Sequence, residues 1–280
     1  MFASNPFAEL SAAVPPSVMQ WYVIVMIAAV VLGTLYDIWH KRSAEYFFAN
    51  WRKTKEAGAK EIGSGDVMSM AAQTAVSEVL TSSEFCNPQR RVAHLLTMYG
   101  FLLYIITTII MVFSYPTATT TTPAILPMLW TLGALMVIVG GCWFWFFIRA
   151  DVSAEGSSPF RVMRADLFIL SLLASVALAL LWSWAQASGS SWSYVLLALY
   201  LIASTVLFGS VPWSKFSHMF FKPAAALEKR IAEANGTRSN LPRPADRTTA
   251  ADRDRHSMEL LKDAPLDMGL GIKREGSNHY

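Results

Sequence analysis

Apolar residues fall in five long runs, and the segments between the runs carry nearly all of the charge. The runs are Trp21 to Ile38, Val92 to Ser114, Ile125 to Ile148, Leu167 to Ala185 and Trp192 to Val211. Each is close to the ~20 residues that cross a hydrocarbon layer of ~30 Å as a helix. Backbone polar groups in lipid must bond within their own segment, so the pattern predicts an all-α membrane protein, a five-helix transmembrane bundle.

The polar segments divide the rest of the chain. Residues 1–19 form a short, nearly uncharged N-terminal segment outside the cytoplasm, with Pro15-Pro16 ahead of span one at 20–40. Residues 41–91 are a cytoplasmic loop with two amphipathic parts. Ser43 to Lys60 is basic and aromatic and extends the first helix along the membrane surface. After Gly63-Ser-Gly65, Asp66 is expected to cap a helix from Val67 to Leu80. This loop reads either as a docking platform or as a partly ordered surface loop. Residues 92–222 hold the four-span bundle and its exit, 223–236 an amphipathic helix ending at Asn235-Gly236, and 237–280 a flexible cytoplasmic tail. Within that tail Leu260 to Tyr280 is less polar than a solvated end, which fits either folding onto a partner or an inert tail.

Composition narrows the class without changing it. With 54% apolar and 15% charged residues the chain cannot be a water-soluble monomer. The net charge of +3 follows topology and gives no nucleic-acid surface. No Lys or Arg precedes Lys41, and none lies in 115–122 or 186–191, whereas 41–91 carries eight. The positive-inside rule therefore places the N-terminus outside and the C-terminus in the cytoplasm, as a multi-pass protein of the cell inner membrane. Lys41 and Arg42 after span one make it an uncleaved anchor. Cys86 and Cys142 are too few for an iron-sulfur cluster, a disulfide framework or a Cys-rich zinc site.

The candidate chemistry rests on two histidines. His94 follows Arg90-Arg91 at the start of span two, and His218 follows Trp213-Ser-Lys-Phe-Ser beyond span five. Topology puts both at the cytoplasmic face, at the depth from which two imidazoles can ligate the iron of one b-type haem. Arg91, Lys215 and Arg149 are the basic neighbours that would meet haem propionates, with Arg90, Arg161 and Arg164 on the same face. A histidine at the head-group boundary also serves by bonding lipid or a neighbouring helix, and His40 is a substitute partner. His256 and His279 belong to the tail and read as solvated. Gly133, Gly140 and Gly141 let a helix or a flat cofactor approach the backbone of span three.

The five-span layout, Arg91-x-x-His94 with Gly100-Phe101 and Ile106-Thr107-Thr108 behind it, and Ser214-Lys-Phe-Ser-His218 resemble the cytochrome b subunit family. That family includes the nitrate reductase gamma subunit and the membrane subunits of quinone-interacting oxidoreductases. The resemblance covers Val92 to Glu233. It implies an electron-transfer subunit that links the quinone pool to a cytoplasmic iron-sulfur or flavin redox subunit through haem b. Two-haem members carry further histidines where this chain has Tyr104 and Tyr200, so the resemblance implies one haem, ligated by His94 and His218. Tyr99, Tyr104, Lys215 and His40 are the polar groups it offers a quinone. A membrane anchor associated with adenylylsulfate reductase is the relative it favours. A haem-free anchor that tethers a soluble reductase is the alternative, and a small transporter is disfavoured by span centres without acidic or broken-helix sites.

Overall fold

The computed structural model describes residues 4–237 except 59, 84, 86, 87, 150–159, 161, 164, 165 and 214–217, with the backbone alone at 41, 43, 46 and 218–221. Every regular element among the described residues is helical. In chain order they are α1 (Pro6–Leu10), α2 (Pro16–Lys41), α3 (Ser43–Glu56), α4 (Ser64–Thr74) with a π-helical continuation (Ala75–Leu80), and α5 (Pro88–Ser114). There follow α6 (Ile125–Trp143) with a π-helical end (Phe144–Arg149), α7 (Leu167–Ala187), α8 (Ser193–Gly209), a 3-10 turn (Val211–Trp213) and α9 (His218–Ala234). Among the described residues four helices are long and apolar enough to cross a membrane: Pro16–His40, Pro88–Ser114, Ile125–Arg149 and Leu167–Ala187. The fifth apolar run forms the shorter Ser193–Gly209.

The helix starts follow local chemistry. Pro16 and Pro88 open α2 and α5, where a missing N–H costs nothing because the first turn has no acceptor for it. Asp66 does not cap α4: the helix begins at Ser64, Gly63 is its extended N-cap residue, and Asp66 lies inside the first turn. A carboxylate there still faces the positive end of the helix dipole. Between α2 and α3, Arg42 adopts a left-handed φ of 51°, which breaks the first helix from its surface extension.

Two helix hairpins make the bundle, α5 with α6 and α7 with α8. Membrane helices gain little from excluding lipid, so close backbone approach carries the association. A Cβ on Gly100 would lie 2.7 Å from Gly133 O, and one on Gly133 would lie 2.8 Å from Gly100 O. One on Gly140 would lie 2.7 Å from Ala93 O. The glycines of α6 thus admit α5 itself, while a Cβ on Gly141 would meet Leu173 of α7 at 2.7 Å. Trp130, Trp182, Met111, Leu172 and Val176 fill the centre.

The N-terminal segment is part of this core. Asn5 Oδ1 accepts from the N–H groups of Phe7 and Ala8 and caps α1. Its amide donates to Tyr115 O at 2.9 Å and Thr122 Oγ1 at 3.1 Å, and Gln186 Nε2 donates to Pro6 O at 2.7 Å. Phe7 is thereby wedged between Trp130 and Trp182, with ring centroids 6.1 and 5.4 Å away. At the opposite end α3, α4 and α9 form a platform. Arg230 reaches Ser77 Oγ at 2.6 Å and Glu78 at 3.1 Å, and Asn235 Nδ2 donates to Thr54 O at 2.8 Å. Residues 238–280, where a flexible tail is expected, lie outside the described set.

Candidate functional site

The two hairpins join through α6 and α7, and on their other side the backbones of α5 and α8 meet little. Helix α2 lies over that gap and leaves a cavity of about 280 Å³ beneath it. That is nearly twice the ~150 Å³ of an engineered apolar cavity that accepts benzene. Met26, Val30, Ile105, Ile109, Leu207 and Phe208 supply much of its apolar wall, and Tyr22, Tyr104, Thr108, Ser175, Tyr200 and Ser204 supply hydroxyls.

These hydroxyls are ordered in pairs. Tyr104 Oη donates to Tyr200 Oη at 3.0 Å, and the Ser175 and Ser204 hydroxyls meet at 2.8 Å. Tyr22 Oη donates to Leu201 O at 2.9 Å, which fastens α2 to α8. Thr108 Oγ1 donates to Tyr104 O at 2.7 Å and accepts from Trp130 Nε1 at 3.0 Å. Tyr104 lies stacked on Trp130 and Tyr200 on Trp182, with centroids 5.3 and 5.8 Å apart. Since Phe7 touches both tryptophans, five aromatic rings close a belt from the α1 end to the cavity. The sequence signal for this wall is the four-residue spacing of Tyr104 with Thr108 and of Tyr200 with Ser204, which puts each pair on one helix face.

The expected haem residues sit at the platform end. Ser82 Oγ bonds His94 Nδ1 at 3.1 Å, and the ring of Phe85 lies 4.9 Å from the imidazole. Arg91 Nε donates to Thr81 O at 2.6 Å, and Tyr99 Oη donates to Leu80 O at 2.7 Å. The first turns of α5 therefore clamp the turn that follows α4, where buried Ser82 has a left-handed φ of 49°. Arg149 makes a two-pronged ion pair with Asp166, and its guanidinium lies 4.1 Å from the Trp145 ring centroid. Asp166 also accepts from Met163 N at 2.8 Å. Lys222 Nζ lies 5.3 Å from the Phe85 centroid, so the start of α9 is brought to the level of His94. His218 opens α9, but its side chain lies outside the described residues, as do Lys215, Arg161 and Arg164 entirely. His40 stacks on Tyr36 at 5.5 Å. No group of three or more His, Cys, Asp or Glu able to hold a metal occurs among the described residues.

Bundle, cavity and platform together define an all-helical protein with, among the described residues, four helices long and apolar enough to cross a membrane. Residues 9–239 match the family described as citrate utilization protein B, and the chain belongs to that family. A curated relative, citrate utilization protein B of Escherichia coli, is 29% identical over 157 residues, which is 54% of this chain and 40% of that protein. The chain thus spans well under half of that relative's length in the matched region. No solved structure matches.

This match corrects the resemblance to the cytochrome b family. The chain is not identified with the nitrate reductase gamma subunit or an adenylylsulfate reductase anchor, and a haem-dependent, quinone-linked subunit of sulfur metabolism is set aside with them. The physical reason is the brevity of the motifs. Basic residues and a histidine where a helix enters the positive face arise in unrelated bundles, so these motifs do not single out one family.

Proposed function

We propose that the protein is an integral membrane component of citrate utilization in the cell inner membrane, with a cytoplasmic platform that receives a soluble partner of the same process. The match over residues 9–239 carries this reading, because it runs through the bundle and both surface-helix regions and ends just beyond α9. In this reading Ser193–Gly209 is the fifth crossing. Its 17 residues rise ~26 Å, and the Val211–Trp213 turn extends it to the interface. The basic residues then put α1 outside and α3, α4 and α9 in the cytoplasm.

The bundle is not the path for citrate in this account. A tricarboxylate crossing the membrane needs cationic partners at depth, and intramembrane charges mark such paths. The five apolar runs contain no Lys, Arg, Asp or Glu between their first and last turns. Uptake of labelled citrate by cells lacking the protein separates the roles. The account expects uptake to continue and conversion of the label to stop; abolished uptake would make the protein the carrier instead.

A further inference from the structure

We infer that the exposed face of α4 and of its π-helical continuation lies in the cytoplasmic leaflet, against the acyl chains of membrane lipid. The inference rests on the bundle lying in a membrane with its basic end in the cytoplasm, and not on the role in citrate use.

Charge is the first observation. From Val67 to Leu80 the only ionisable side chain is Glu78, and it pairs with Arg230 of α9. Met70 and Thr74 precede Glu78 at four-residue spacing and share its side of the helix. Met68, Ala72, Val76 and Leu80 recur at the same spacing on the other side, where Met68, Val76 and Leu80 are 74%, 55% and 49% exposed. A helix face in water carries charged side chains, so this stripe is matched to a surface less polar than water.

Depth says which surface. Tyr99 Oη donates to Leu80 O at 2.7 Å, and Arg91 Nε donates to Thr81 O at 2.6 Å. From Arg91 to Tyr99 α5 rises ~12 Å, and the apolar run of that helix begins at Val92. The end of the π-helix therefore lies beside the apolar part of α5, below the head-group level that Arg91 marks. Val92, Tyr99, Leu102 and Ile106 are exposed on one face of α5, so at Leu80 and Tyr99 the stripe of α4 meets a stripe of a membrane-length helix. A soluble protein docked on α4 would account for the apolar residues but not for this depth.

Backbone satisfaction agrees. A helix end in hydrocarbon cannot leave its carbonyls to water. Here Tyr99 and Arg91 serve those of Leu80 and Thr81. The hydroxyls of Thr74, Ser77 and Thr81 turn back to Met70 O, Gln73 O and Ser77 O at 2.7, 2.7 and 2.8 Å.

The test uses the full-length protein in nanodiscs of phosphatidylethanolamine and phosphatidylglycerol. One sample contains a phospholipid with a diazirine midway along an acyl chain, the other a water-soluble diazirine, and mass spectrometry maps the labels after illumination. The ratio of lipid to aqueous labelling at Met68, Val76 and Leu80 should match that at Leu102 and exceed that at exposed Lys55 by about tenfold. The double variant Val76→Asp/Leu80→Asp should bring the ratio at Met68 down to that at Lys55 and leave Leu102 unchanged. An aqueous ratio at the three stripe residues of the native protein, with Leu102 labelled from lipid, would overturn the inference alone. Protection of the stripe from both probes would also overturn it, since a second copy or residues 238–280 would then cover it. Failure of Leu102 to label from lipid would overturn the membrane reading itself, and the inference with it.

Discussion

Tyr104 of α5 and Tyr200 of α8 share a hydrogen bond of 3.0 Å at the centre of the bundle, each under its own tryptophan. It is a direct polar link between two helices whose backbones otherwise meet little. Tyr104→Phe should lower stability by ~1 kcal/mol, and the double change to Phe should cost less than the two single changes together, because no hydroxyl is then stranded. Thermal unfolding of the four proteins in one detergent gives the coupling. Additive costs would mean that the bond contributes nothing.

Close approach of α5 and α6 depends on glycine. Gly133→Val should prevent a folded bundle, since even a Cβ at that position meets the α5 backbone at 2.8 Å. Gly209→Ala should be tolerated, because nothing lies within 4 Å of a Cβ there. Yield of monodisperse protein on size exclusion distinguishes the two outcomes.

The Arg149–Asp166 pair is nearly enclosed, with side chains 12% and 9% exposed. Removing one partner takes the main counter-charge from the other, so Arg149→Met should destabilise by ~3 kcal/mol, while Arg149→Met with Asp166→Leu should recover part of the loss. Denaturation midpoints of the single and double variants test this. A double variant no better than the single would show that Trp145 and Met163 matter more than the charge pair.

At the platform, His94→Ala should free the turn around Ser82, whose left-handed backbone costs ~1–3 kcal/mol to hold. Hydrogen exchange should rise across residues 80–85 and stay low in α6 and α7. Ser82→Gly should offset part of the effect, because glycine adopts that φ without strain.

Glu228 on α9 adds a pH dependence. Partial burial holds its carboxyl above the usual glutamate range. The folded state therefore keeps the proton to higher pH than the unfolded one. Its contribution to α9 docking is present in full below the unfolded pKa and is lost as pH rises through the raised one. Exchange of α9 amides, corrected for intrinsic rates, should quicken over that window, and Glu228→Gln should flatten it.

Four of the five apolar runs were legible as helices long enough to cross a membrane, since length and hydropathy alone decide that, while the fifth formed the shorter Ser193–Gly209. The burial of α1 was not legible in Asn5-Pro6-Phe7, because the slot for Phe7 is made by Trp130 and Trp182, which lie far along the chain. Asp66 misled because a capping carboxylate and a first-turn carboxylate leave the same local signature. Tyr104 and Tyr200 stood out in the sequence as histidines replaced, and their mutual contact needed the relative rotation of α5 and α8. His94 was expected to ligate a haem and Arg91 to meet a propionate; their bonds to Ser82 and Thr81 were not legible, because the turn that supplies those groups follows a path no periodicity predicts.

Growth of a strain lacking this protein, on citrate and on succinate as alternative sole carbon sources, tests the central claim most directly. The account predicts failure on citrate, normal growth on succinate, and recovery on citrate when the intact chain is restored. Undiminished growth on citrate without the protein would contradict it.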